Sequence, residues 1–114
     1  MKLCNLDYLK SISPDNTEFV TQMIQLFLKN VPLAYEAMND SLITSDWEVI
    51  QQNAHKLKSH FDCVGLPPEF RETAKQIEEY AQNQVNTELI PDLLKKLENE
   101  SQPAYIELEE ELNN

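Results

Sequence analysis

Apolar residues recur every three or four positions through most of this chain, the spacing that gathers them on one face of an α-helix. Leu6, Leu9 and Ile12 predict a short leading helix from Asn5 to Ile12, stopped at Ser13-Pro14 because proline disfavours helix in the residue before it. At Asp15-Asn16-Thr17-Glu18 a carboxylate cap with an acid three positions on starts a long helix, with the stripe Phe19, Val20, Met23, Ile24, Phe27 and Val31. Pro32 removes one backbone donor, yet the stripe resumes through Ala34, Tyr35, Met38 and Leu42. A kinked helix to about Thr44 is expected, with a break into two helices as the alternative.

Ser45-Asp46 caps a third helix whose inward positions are Trp47, Ile50, Ala54, Leu57, Phe61 and Val64, ending at Gly65, where a left-handed residue closes the helix. Pro67-Pro68 restarts the chain. Glu69 to Gln84 forms a fourth helix with Phe70, Ala74, Ile77 and Ala81 inward. Asn86 or Thr87 caps a fifth, whose regular turns begin near Ile90 because Pro91 fits best in a first turn. Its stripe runs through Leu93, Leu94 and Leu97 and, past a bend at Pro103, through Ala104, Leu108 and Leu112. The final asparagines are expected to fray. Helices joined by such short connections predict an all-α fold, a four-helix up-and-down antiparallel bundle with a short additional N-terminal helix, as one domain over 1–114.

Composition narrows the function. The only glycine among 114 residues is Gly65, which leaves no glycine-rich loop to cradle a nucleotide and no turns for an all-β chain. Twenty acidic residues against nine basic ones give a formal net charge of -11, which would repel a phosphate backbone, so nucleic acid is not an expected partner. No apolar run suits a membrane span, and MKLCNLDYLK turns charged too early for a signal-peptide core, so a cytoplasmic protein without a membrane partner is expected. Cys4 and Cys63 read as reduced, packed thiols.

The polar faces must then carry the chemistry. On a wheel of about 100° per residue, His55 is surrounded by Glu48, Gln51, Gln52, Lys58, Ser59 and Asp62, all within about 60° of it. Lys56 lies about 100° away, and the apolar stripe starts beyond about 80° on the other side. His55 should therefore be solvated, and a solvated imidazole is largely neutral near pH 7, with a lone pair able to attack an electrophile. No carboxylate beyond Glu48 and Asp62 is expected near it, too few to hold a metal beside a phosphate. His55 and His60 diverge by about 140°, which argues against a shared metal ion.

The run Ala54-His55-Lys56-Leu57-Lys58-Ser59-His60-Phe61-Asp62-Cys63-Val64-Gly65 resembles the H-x-L-K-G-x-x-x-x-x-G signature of histidine phosphotransfer (HPt) domains. The order of a short leading helix, a long second helix, a histidine helix and two more is also similar to that family. The resemblance implies that His55 is phosphorylated, that Lys58 faces the phosphoryl group, and that Leu57 and Gly65 are the core leucine and terminal glycine. Ser59 stands where the family usually has glycine, a small residue that lets a receiver domain approach closely, and His60 with Phe61 replaces smaller residues.

The function so implied is relay of a phosphoryl group between aspartates of response-regulator receiver domains, with receivers or a hybrid histidine kinase as partners. The chain would be a monomeric carrier rather than an enzyme and would hold no cofactor, the divalent metal belonging to the receiver. Gln51, Gln52, Ser59, Asp62 and Lys56 are the expected binding residues, with Leu28, Leu33 and Ile43 as candidate apolar contacts. The alternative is a helical adaptor that binds receiver or kinase domains without transfer.

Overall fold

The computed structural model describes residues 3–113. Five α-helices follow in order: α1 (Asp7–Ile12), α2 (Thr17–Thr44), α3 (Trp47–Cys63), α4 (Pro68–Asn83) and α5 (Ile90–Leu112), the last preceded by a single 3₁₀ turn at Thr87–Leu89. Among the described residues there is no strand. The long helices pack in a ring, α2 on α3, α3 on α4, α4 on α5 and α5 back on α2, so that α3 and α5 are diagonally opposed. Short connections between successive helices make neighbours antiparallel, giving a rod of 45 × 22 × 22 Å.

The ends of the helices show why the chain turns where it does. The cap of α2 is Asn16, whose side chain accepts from the Phe19 backbone N–H at 3.0 Å, rather than the expected carboxylate of Asp15. An asparagine oxygen serves this role as well as a carboxylate does, and it sits one residue closer to the first turn. α2 runs unbroken through Pro32, so the alternative of two helices does not occur. Val31, Ala34 and Tyr35 are buried on either side of Pro32, and their packing holds the helix together across one missing donor. At its end Ser45 is left-handed, and Asp46 immediately caps α3 by accepting from Val49 N. A two-residue turn therefore sends α3 back along α2.

α3 ends as expected at Gly65, which is left-handed with φ of 66°. Gly65 N donates to Asp62 O and Leu66 N to Phe61 O, both at 3.1 Å, the paired bonds of a Schellman motif, with Leu66 buried beside them. The structure adds a second reason for glycine here. A Cβ at Gly65 would lie 2.2 Å from Asn5 O, because the leading segment crosses at this point and Asn5 N donates to Val64 O at 2.9 Å. At α5 neither Asn86 nor Leu89 supplies a side-chain cap; Asn86 is itself left-handed, and Pro91 occupies the first turn.

One core joins all five helices. Ile50, Ala54, Leu57 and Phe61 of α3 and Phe70, Ala74, Ile77 and Ala81 of α4 are buried as the spacing predicts, each large side chain contributing about 1.5–3 kcal/mol. Leu6, Phe19, Met23, Leu42, Trp47, Leu93 and Leu112, expected inward, are only partly buried at the margins of this core, and Ile12 is exposed. Three inward polar groups were not anticipated, Ser41, Thr73 and Ser101. Ser101 is fully buried and bonds Tyr35 Oη at 2.7 Å while donating to Leu97 O, and Thr73 donates to Glu69 O. Burial pushes the Tyr35 phenol up, so it stays protonated and pins α2 to α5. Asn114 lies outside the described residues.

Candidate functional site

His55 sits midway along α3 on the face turned away from the core, with its side chain 68% exposed. Helix periodicity alone accounts for this, since Ala54 and Leu57 on either side of it are buried. Its closest polar partner comes from another helix. Glu78, on α4, places Oε2 2.6 Å from His55 Nδ1 and Oε1 2.6 Å from Lys58 Nζ. Glu78 and Lys58 are only 13% and 15% exposed, so this is a shielded carboxylate bridging an imidazole and an ammonium one helical turn apart.

The electrostatics follow from that bridge. Burial pushes the Glu78 carboxyl up, but the hydrogen bonds and charges of Lys58 and His55 outweigh it and hold the group below its ordinary range. An ionised carboxylate can only accept, so Nδ1 of His55 must be the donor. That choice fixes the tautomer and leaves the lone pair on Nε2, the other nitrogen of an exposed ring. The expectation that no acid beyond Glu48 and Asp62 lies near His55 is therefore corrected. A wheel drawn on one helix cannot show a carboxylate delivered by its neighbour.

The other expected residues divide around His55. Gln51, Gln52 and Lys56 line a shallow depression with His55 and Glu78. Gln52 makes only a long 3.5 Å contact to Glu48 Oε1. Lys56 is exposed and also borders a second depression with Asn30, Leu33 and His60. Asp62 is paired with Arg71 of α4 at 2.6 Å, an exposed ion pair worth about 0–1 kcal/mol. Ser59 is exposed and lines an apolar groove with Asp62, Cys63 and Tyr8, Leu9, Ile12, Phe19 and Met23 of α1 and α2.

That groove is the apolar surface beside the histidine, and its residues are not those the sequence suggested. Leu28 is half-buried against the core; Leu33 and Ile43 are exposed, but neither lines the groove. Phe19 and Met23 read as core because they keep the helical stripe, yet α1 covers only part of it and leaves them at its edge. His60 stands apart from His55: its ring packs edge-on to Phe27 at 6.5 Å, and burial, with Lys56 nearby, lowers its pKa. Among the described residues no cluster of His, Cys, Asp and Glu could hold a metal ion, and no helix is long and apolar enough to cross a membrane.

The described residues thus form a helical bundle that presents one imidazole on an exposed face, with a carboxylate partner for its Nδ1 supplied by the adjoining helix. The Hpt domain family matches residues 22–114, and the chain belongs to that family. It is accordingly a histidine phosphotransfer protein of two-component signalling, a phosphocarrier rather than a catalyst. Among solved structures, the fold is similar to histidine-containing phosphotransfer protein B (HptB) from Pseudomonas aeruginosa PAO1. The TM-score is 0.84 at 18% identity, covering 97% of this chain and 95% of that one. No curated protein matches the chain in sequence.

Proposed function

We propose that His55 accepts a phosphoryl group on Nε2 from an aspartyl phosphate of one receiver domain and yields it to the aspartate of another. The observation that supports this is the exposed imidazole whose Nδ1 is bonded to Glu78, leaving Nε2 as the nucleophile. As the Nε2–P bond forms, the P–O bond to the donor aspartate breaks and its electron pair returns to the carboxylate. Nδ1 keeps its proton throughout, held by Glu78. In the reverse step the leaving group is then neutral imidazole rather than imidazolate, and no proton has to move.

Lys58 has three donors, of which Glu78 occupies one, so the ammonium can offset phosphoryl charge without leaving α4. The divalent metal and the acids that neutralise the transferred group belong to the receiver. Docking uses the apolar groove lined by Tyr8, Ile12, Phe19 and Met23, which meets the His55 face at Ser59 and Asp62, with Lys56, Gln51 and Gln52 at its polar margin. The partners are receiver domains or a hybrid histidine kinase, in the cytoplasm, with this chain acting as a monomer.

The test mixes the protein with phosphorylated receiver domains and follows acid-labile label on wild type and on His55→Gln. Label on the wild type alone is expected, and equal labelling of both overturns the proposal. If no receiver labels the wild type while one still binds it, the adaptor reading replaces the relay.

A further inference from the structure

The leading segment is fastened from the side of the bundle opposite the histidine. Glu107 of α5 accepts from Leu3 N through both carboxylate oxygens at 2.9 Å and from Cys4 N at 3.1 Å. Asn5 N then bonds Val64 O at the end of α3, where Gly65 makes room for the Asn5 carbonyl. One turn further along α5, Glu111 pairs with Lys10 of α1 at 3.3 Å. These ties surround an element with little hold of its own. α1 has six residues, its N-cap Leu6 makes no side-chain cap, and only Leu9 is buried. A helix that short is not stable by itself, so its position is set by what fastens it.

What α1 contributes to the surface is apolar and exposed. Tyr8 and Ile12 are 64% and 52% exposed, and both line the groove that reaches Ser59, one helical turn along α3 from His55. One wall of that groove therefore stands on an element whose anchor, Glu107, lies on the helix diagonally across the bundle from α3.

We propose that Glu107 is a positioning residue for partner docking: by latching residues 3 and 4 to α5 it holds α1 in place as one wall of the groove that receives the receiver domain. The docking half of this inference rests on the relay reading above; the latch itself does not. Glu107 touches neither His55 nor its neighbours, so it acts on how tightly a partner seats and not on the reactivity of the imidazole. Loosening the latch should thus separate two quantities that damage to the site would lower together.

The experiment compares wild type with Glu107→Ala, Glu107→Gln and, as a control on the same helix, Glu109→Ala. Amide hydrogen exchange over residues 7–12 is expected to speed up by about tenfold in Glu107→Ala, by less in Glu107→Gln, which keeps one acceptor oxygen, and not at all in the control. With a phosphorylated receiver that labels the wild type, the apparent KM for the receiver should rise about five- to tenfold while the limiting single-turnover transfer rate stays within about twofold. Labelling of His55 by phosphoramidate, a small donor that needs no docking surface, should not change. Unchanged exchange over 7–12 overturns the latch, and faster exchange with an unaltered KM overturns its role in docking. A parallel loss of phosphoramidate labelling also overturns the proposal, because Glu107 would then be acting on the site itself. If no receiver labels the wild type, the relay and the docking role fall together, while exchange still decides the latch.

Discussion

Glu78 Oε2 lies 2.6 Å from His55 Nδ1, across the seam between α4 and α3, so the side chain that sets the tautomer of the exposed imidazole is supplied by a helix carrying no part of the histidine motif. The same carboxylate holds Lys58 with its other oxygen. One residue thus orients both groups that the motif places a turn apart, and its removal should be felt at each of them.

Replacing Glu78 by alanine is expected to release Nδ1 and mix the two tautomers of His55, visible in the ¹⁵N shifts of the imidazole. Transfer from a phosphorylated receiver should slow by about tenfold to a hundredfold, the range for losing a partner that orients a reactive group. Glu78→Gln keeps an oxygen for Nδ1 but loses the charge that holds Lys58, so its rate should fall between the two. A wild-type rate in Glu78→Ala would remove the tautomer from the mechanism.

The bridge also makes stability depend on acid in a definite direction. The Glu78 carboxyl lies below its ordinary value of 4.5 in the folded chain, so it binds protons less readily folded than unfolded. Its contribution is complete above that value and is lost as pH falls through the lower folded one. Urea unfolding of wild type and Glu78→Gln should therefore differ by about 1–2 kcal/mol at pH 7 and converge in more acidic solution. A gap that persists unchanged at the acid end would place the stabilisation elsewhere.

Gly65→Ala should destabilise the chain by about 2 kcal/mol or more, read as a lower urea midpoint at unchanged m-value. A left-handed alanine costs about 1–2 kcal/mol, and its Cβ would in addition lie 2.2 Å from Asn5 O, so the leading segment must move. If the crossing at Asn5 contributes nothing, the loss will stop at the backbone cost and exchange over residues 7–12 will not change.

Ser59→Gly removes a hydroxyl from the lining of the apolar groove without disturbing a buried contact, because Ser59 is exposed. Transfer equal to or faster than wild type is expected, measured as initial labelling rate from a phosphorylated receiver. A clear loss of rate would mean that the hydroxyl bonds the phosphoryl group.

Periodicity alone led to the five helices, to α3 as the histidine helix and to its stop at Gly65, because burial of a continuous apolar stripe and the need for a left-handed residue are local consequences of residue order. The resemblance around His55, Leu57, Lys58 and Gly65 was equally legible, being carried by neighbours on one helix. The failures have two causes, one local and one tertiary. Asn16 rather than Asp15 as a cap was a choice between adjacent oxygens, decided by which one the first turn reaches. Phe19 and Met23 kept the core spacing but stand at the margin, since the reach of α1 sets how much of the stripe is covered. Glu78 and Glu107 carried no local signal among twenty acidic residues. Sequence determined which faces are apolar and that one imidazole points outward. Which carboxylate meets its Nδ1, and which one bonds the leading segment ahead of α1, was decided only when helices distant in the chain packed side by side, because a hydrogen bond depends on distance in space and not along the chain.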